Sequence, residues 1–126
     1  MYEIKVKSTF SSAHNLRGYK GKCERLHGHN WTVEASVSSD KLDKSGMVCD
    51  FTVLKKALNS VLEGLDHAYL NNNPYFKKVN PSSENIAKYI YDRLCKKLSA
   101  INYQLSAVTV WENEGSSATY TEGCCR

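Results

Sequence analysis

The sequence predicts an α+β domain in which a four-stranded antiparallel sheet carries two helices on one face, in the order ββααββ. Three observations predict it. Apolar and polar residues alternate near the N-terminus, apolar residues recur at helical spacing through the middle of the chain, and alternation returns towards the C-terminus. With 126 residues, the chain is read as one domain spanning 1–126.

In the first strand, Tyr2, Ile4, Val6 and Phe10 take even positions and Glu3, Lys5, Lys7 and Thr9 odd ones, and the pattern runs on towards His14, which has the parity of the apolar face. Residues 15–22 read as a loop punctuated by Gly18 and Gly21. In the second strand Trp31, Val33, Ala35 and Val37 alternate with Thr32, Glu34, Ser36 and Ser38, so His27 and His29 share the Trp31 face. The period then changes. Leu54, Ala57, Leu58, Val61, Leu62 and Leu65 mark a helix that starts at Phe51 with Asp50 as its cap, and that ends near Gly64 to His67. Asn71, Asn72, Asn73 and Pro74 read as a loop. A second helix opens at Pro81 to Glu84, buries Ile86, Ala87, Ile90, Leu94 and Leu98, and ends near Ala100. Strands at Leu105–Trp111 and Ser117–Thr121 follow, joined by a hairpin-like turn.

Hydrophobic residues make up 41% and charged residues 24%, the proportions of an ordinary globular protein, and no apolar run approaches a membrane span. Charges interrupt the apolar residues at the N-terminus, where a secretory signal needs an unbroken core, so a cytoplasmic location is expected. The odd number of cysteines, at 23, 49, 95, 124 and 125, is unlike a disulfide framework, and free thiols are expected. A net charge of +4 without interleaved basic and aromatic residues gives no nucleic-acid module. Arg17, Lys20, Lys22 and Arg25 crowd around Cys23 and form either a solvated lysine-rich loop or a patch that would draw an anion such as a phosphate ester.

Cys23, His27 and His29 lie within seven residues. On one strand face the two histidines stand ~6.5–7 Å apart, close enough to converge on one metal ion, and the adjacent strand brings His14 beside them. Three histidines leave zinc an open position, as catalytic sites do. Cys23 is then either a fourth, structural ligand or a thiolate beside the metal, and spacing leaves both readings open. Asp66 and His67 follow the first helix; the histidine is either a favourable charge on the helix dipole or a proton donor and acceptor oriented by its carboxylate. Glu112 is either an exposed strand-end carboxylate or an acceptor of two hydrogen bonds from an amidine-like edge.

Ser11-Ser12-Ala13-His14, Cys23-x-x-x-His27-Gly28-His29-Asn30, Met47-Val48-Cys49-Asp50-Phe51, Leu65-Asp66-His67, Pro81-Ser82-Ser83-Glu84-Asn85 and Val110-Trp111-Glu112 together resemble the 6-pyruvoyl-tetrahydropterin synthase superfamily. Nearly the whole chain takes part. The three residues between Cys23 and His27 resemble the carboxy-tetrahydropterin-forming branch of the queuosine pathway.

The resemblance implies a tunnelling fold (T-fold), assembled as a homohexamer of two trimers with active sites between subunits. It implies zinc on His14, His27 and His29, Cys23 as catalytic base, and Asp66 and His67 as acid and relay residues reaching the cysteine from a neighbouring subunit. Glu112 would anchor the pterin, with Ser82, Ser83 and Glu84 near it. The implied reaction is a zinc-dependent lyase step from 7,8-dihydroneopterin triphosphate and water to 6-carboxy-5,6,7,8-tetrahydropterin, acetaldehyde and triphosphate, with triphosphate elimination alone as the sister activity. The family often has threonine at the positions of Ser82 and Asn113.

Two readings of other classes compete. Gly21, His27, His29 and Glu34 fit the first motif of a cupin, although Glu34 has the opposite strand parity to His29. A non-catalytic zinc-binding domain would use the histidines and leave Asp66, His67 and Glu112 idle.

Overall fold

A computed structural model describes residues 1–18 and 25–122, so Cys23 and the C-terminal Cys124 and Cys125 lie outside the described residues. The alternating segments form β1 (Tyr2–His14), β2 (His27–Ser39), β4 (Leu105–Asn113) and β5 (Ser116–Tyr120). The helical segments form α1 (Phe51–Leu62) and α3 (Ser83–Ser99), and a two-residue β3 (Ala68–Tyr69) and five-residue α2 (Pro74–Lys78) lie between them.

Among the described residues the sheet has five strands in the order β3-β1-β2-β4-β5, which corrects the four-stranded expectation. It is also mixed, because β3 runs parallel to β1 at Ser12 and Ala13 while the other pairings are antiparallel. Two residues are too few to carry a period, so nothing in the alternation marks β3. The Asn73-Pro74 signal, read as a loop, starts α2 instead: Asn73 Oδ1 accepts from Tyr75 N at 3.0 Å and Pro74 takes the first turn, where its missing N–H costs nothing.

Both long helices begin with side-chain caps. Asp50 Oδ1 accepts from Thr52 N at 2.8 Å, and Ser82 Oγ accepts from Asn85 N at 3.2 Å. Val6, Phe10, Trp31, Val33, Ala35, Val37, Val108 and Val110 are buried with Leu54, Leu58, Ile86, Ile90, Leu94 and Leu98 in one core. The buried strand residues share one face, and α1 and α3 touch each other as well as the sheet, so both helices cover that face. The opposite face, where a partly apolar surface would have invited burial by other subunits, is largely polar: Lys5, Lys7, Thr9, Thr32, Glu34 and Thr109 line it.

Cys49 is a buried free thiol, and burial pushes its pKa up, so it is an inert core residue. Cys95 is disulfide-bonded, which corrects the free-thiol expectation at that position. Among the described residues no helix is long and apolar enough to cross a membrane.

Candidate metal centre

β1 and β2 pair with His14 opposite His27 and Ser12 opposite His29. Since directly opposed residues of an antiparallel pair point to the same side, this register brings all three imidazoles together at the end of the sheet. The rings of His14 and His27 have centroids 4.5 Å apart, those of His27 and His29 4.8 Å, and those of His14 and His29 5.4 Å. Trp31 forms the floor, its ring edge-on to His14 at 4.9 Å and to His29 at 5.2 Å.

Two of the imidazoles are oriented by main-chain oxygens. His14 Nδ1 donates to Pro81 O at 2.7 Å, and His27 Nδ1 donates to Arg25 O at 2.6 Å. A carbonyl only accepts, so in both rings Nδ1 carries the proton and Nε2 keeps its lone pair. His14 is only 2% exposed. Its pKa is lowered mainly by burial and further by His27 and His29, against the opposing Pro81 hydrogen bond and Glu112 charge, which favours the neutral form that a metal requires.

Glu112 arrives from β4. Its Oε1 lies 2.7 Å from His29 Nε2, 3.8 Å from His14 Nε2 and 4.0 Å from His27 Nε2. One ligand atom from each of His14, His27, His29 and Glu112 falls within 4.8 Å of all the others. The short His29–Glu112 approach does not have hydrogen-bond alignment, and the buried Nε2 atoms of His14 and His29 both lack a hydrogen-bond partner. Such nitrogens are costly to bury unsatisfied. A cation among them resolves that cost, and three imidazoles with one carboxylate are a donor set that suits zinc.

A cleft of about 580 Å³ opens beside Glu112, lined also by Lys7, Asn30, Thr32 and Trp111, which is room for a small ring system. Glu112, predicted from sequence as a substrate anchor, thus stands between this cleft and the histidines. Glu34 faces away and pairs with Lys7 at 3.3 Å, so the cluster does not use the carboxylate that the cupin motif requires.

Asp66 and His67 are not among the clustered groups. Asp66 Oδ1 accepts from Ser11 N at 2.8 Å, Asp66 Oδ2 lies 3.0 Å from His67 Nδ1, and the His67 side chain is 82% exposed. His67 has φ 52°, a left-handed conformation costing of order 1–3 kcal/mol for a residue with a side chain, and its N–H donates to Ser11 O at 2.6 Å. The pair is therefore displayed at the surface. Ser82 spends its hydroxyl on the α3 cap, Ser83 begins that helix and Glu84 is exposed in its first turn; the segment meets the cluster through Pro81 O. Sequence reasoning missed the Pro81 and Arg25 carbonyls, because any residue type supplies one.

What fold and site define together is a class: an α+β protein with a candidate metal centre where its central strands end. Residues 3–123 match the family model for 6-pyruvoyl tetrahydropterin synthase. The 6-carboxy-5,6,7,8-tetrahydropterin synthase of Synechocystis sp. is 40% identical over 75% of this chain and 75% of its own. The enzyme of that name from Bacillus subtilis is 34% identical over 90% of this chain and 79% of its own. The solved structure of Caenorhabditis elegans 6-pyruvoyl tetrahydropterin synthase superposes with a TM-score of 0.84 at 30% identity, covering 95% of this chain and 94% of that one. The chain belongs to the 6-pyruvoyl tetrahydropterin synthase family, and it is a pterin-synthase enzyme of the lyase class.

Proposed function

We propose that this protein is a zinc-dependent lyase that takes 7,8-dihydroneopterin triphosphate and water to 6-carboxy-5,6,7,8-tetrahydropterin, acetaldehyde and triphosphate, in queuosine or related 7-deazapurine biosynthesis. The observation that carries the reading is the convergence of the His14, His27 and His29 rings, two of them with Nδ1 held by a main-chain carbonyl and two with a buried Nε2 left without a hydrogen bond. The names of the Synechocystis and Bacillus relatives and the Cys23 to His27 spacing support the carboxy product over the pyruvoyl one.

His14, His27 and His29 would hold the zinc, which when bound would polarise the substrate's side-chain hydroxyls and acidify the adjoining carbon. Cys23 acts as the general base that takes the proton from that carbon, its thiolate favoured by the nearby positive charge. Asp66 orients His67, and this outward-facing pair serves the site of a neighbouring subunit as acid and relay. Glu112 accepts two hydrogen bonds from the amino-pyrimidine edge of the pterin in the adjoining cleft, and the family resemblance sets Ser82, Ser83 and Glu84 near the pterin. The outward display of His67 supports a site shared between subunits; the homohexamer of two trimers is taken from the family resemblance, and the cytoplasmic, single-domain subunit from the sequence.

Incubating the zinc-loaded protein with 7,8-dihydroneopterin triphosphate and identifying products by mass spectrometry tests the reading. Carboxy-tetrahydropterin with acetaldehyde is the expected result. Pyruvoyl-tetrahydropterin would establish the sister activity, which the likeness to the Caenorhabditis elegans structure supports. No turnover by the loaded protein would leave a zinc-binding domain.

A further inference from the structure

The chain that leaves His14 is held at its edge by side chains. The β1–β3 ladder stops at Ala13 and Tyr69. One step on, Asn15 N donates to Asn71 Oδ1 and Asn71 Nδ2 donates to Asn15 O, both at 3.0 Å. Two residues later, Arg17 N donates to Asn80 Oδ1 at 3.0 Å and Asn80 Nδ2 donates to Arg17 O at 2.9 Å. Alternate residues that give both main-chain groups to one neighbour follow the pattern of a strand edge. Two carboxamides thus continue the ladder that β3 begins.

The second carboxamide closes a circuit. Asn80 O accepts from Asn85 Nδ2 at 2.9 Å, and Asn85 N is itself capped by Ser82 Oγ. The next carbonyl along, that of buried Pro81, accepts from His14 Nδ1. Arg17 adds its guanidinium, which donates to Phe76 O and Val79 O just before Asn80. From His14 the path runs along the chain to Arg17, across to Asn80, on to Pro81 and back to the His14 ring. His27, by contrast, takes its carbonyl from Arg25, two residues away, and needs no distant segment.

We infer that Asn80 is a positioning residue of the candidate metal centre: its carboxamide ties Arg17 to the turn before α3, and so holds the Pro81 carbonyl where it fixes the tautomer and ring plane of His14. Groups that orient metal-ligating histidines typically change metal affinity about 10–100-fold when removed. The inference rests on the metal reading above, and its test separates the two.

Wild type, Asn80→Ala and Asn71→Ala are compared by zinc affinity in chelator competition, by thermal unfolding, and by ¹⁵N NMR of the His14 ring in the metal-free protein. Asn71→Ala breaks the same kind of amide pair one step from the circuit. Expected for Asn80→Ala are zinc binding weakened by about 10–100-fold and loss of the single Nδ1-protonated signature of His14. Asn71→Ala should lose comparable thermal stability and keep both. Wild-type affinity and an unchanged His14 signature in Asn80→Ala would overturn the inference, as would an equal loss of affinity in Asn71→Ala. Should Asn80→Ala not fold, Asn80→Asp retains the acceptor for Arg17 N, removes the donor to Arg17 O, and carries the same expectations. A wild type that binds no zinc while Asn80→Ala still disturbs the His14 ring would overturn the metal reading alone.

Discussion

Ser11 and Asp66 meet through the main chain of one and the side chain of the other: Ser11 N donates to Asp66 Oδ1 at 2.8 Å. That bond is the main reason the Asp66 carboxyl lies below its ordinary pKa of 3.8; desolvation opposes it, and the His67 contacts add to the lowering. A carboxylate whose folded pKa is lowered stabilises the fold above its unfolded pKa, and the contribution is lost as pH falls through the folded value. Unfolding free energy should therefore drop as pH is taken below 3.8, and Asp66→Asn should flatten that part of the profile. Carboxyl ¹³C shifts of Asp66 followed through the same range check the direction. A midpoint above 3.8 would contradict it.

Cys23→Ala should keep stoichiometric zinc and lose turnover, because the three histidines and not the thiol hold the ion in the proposed site. Metal analysis of the purified variant alongside product formation measures both. Loss of the zinc would make Cys23 a ligand and the site structural.

Glu112→Gln keeps the shape of the side chain and removes its charge. Charge-assisted hydrogen bonds contribute about 1.5–3 kcal/mol each, so pterin binding should weaken by at least about tenfold. If Glu112 serves the cleft more than the ion, zinc affinity should change far less. Titration of a dihydropterin and of zinc into the same variant gives the two numbers side by side.

Asp50→Ala removes the hydrogen bond to Thr52 N at the start of α1. Loss of an N-cap of this kind costs about 1 kcal/mol. The urea midpoint should fall with an unchanged slope, since the exposed surface on unfolding stays the same.

Much of this architecture was legible because burial repeats. Trp31, Val33, Ala35 and Val37 announce β2 by their parity, and Leu54, Leu58, Val61 and Leu62 announce α1 by their spacing. The same parity predicts that His14, His27 and His29 share a face, which the β1–β2 register realises. Ala68 and Tyr69 form too short a strand to repeat anything, and α2 has fewer than two turns in which to expose a stripe. Asn73 and Pro74 carry the signal of a loop and of a helix start alike, and only the following contacts decide between them. The Pro81 carbonyl is invisible for a different reason, since its role depends on position and not on residue type. Glu112 was singled out from the sequence as a candidate anchor, but its approach to the His29 ring depends on how β4 sits against β2.

The polar face of the sheet has a geometric consequence. Lys7 and Glu34 pair across it, and Thr109 bonds to Thr119 farther along. A sheet that is dry on one side and wet on the other is ill suited to stacking into a sandwich, yet it can lengthen sideways by backbone pairing without drying its polar side. In the proposed homohexamer, copies joined that way would curve into a ring with a hydrated bore, held by their rims and hollow along the axis.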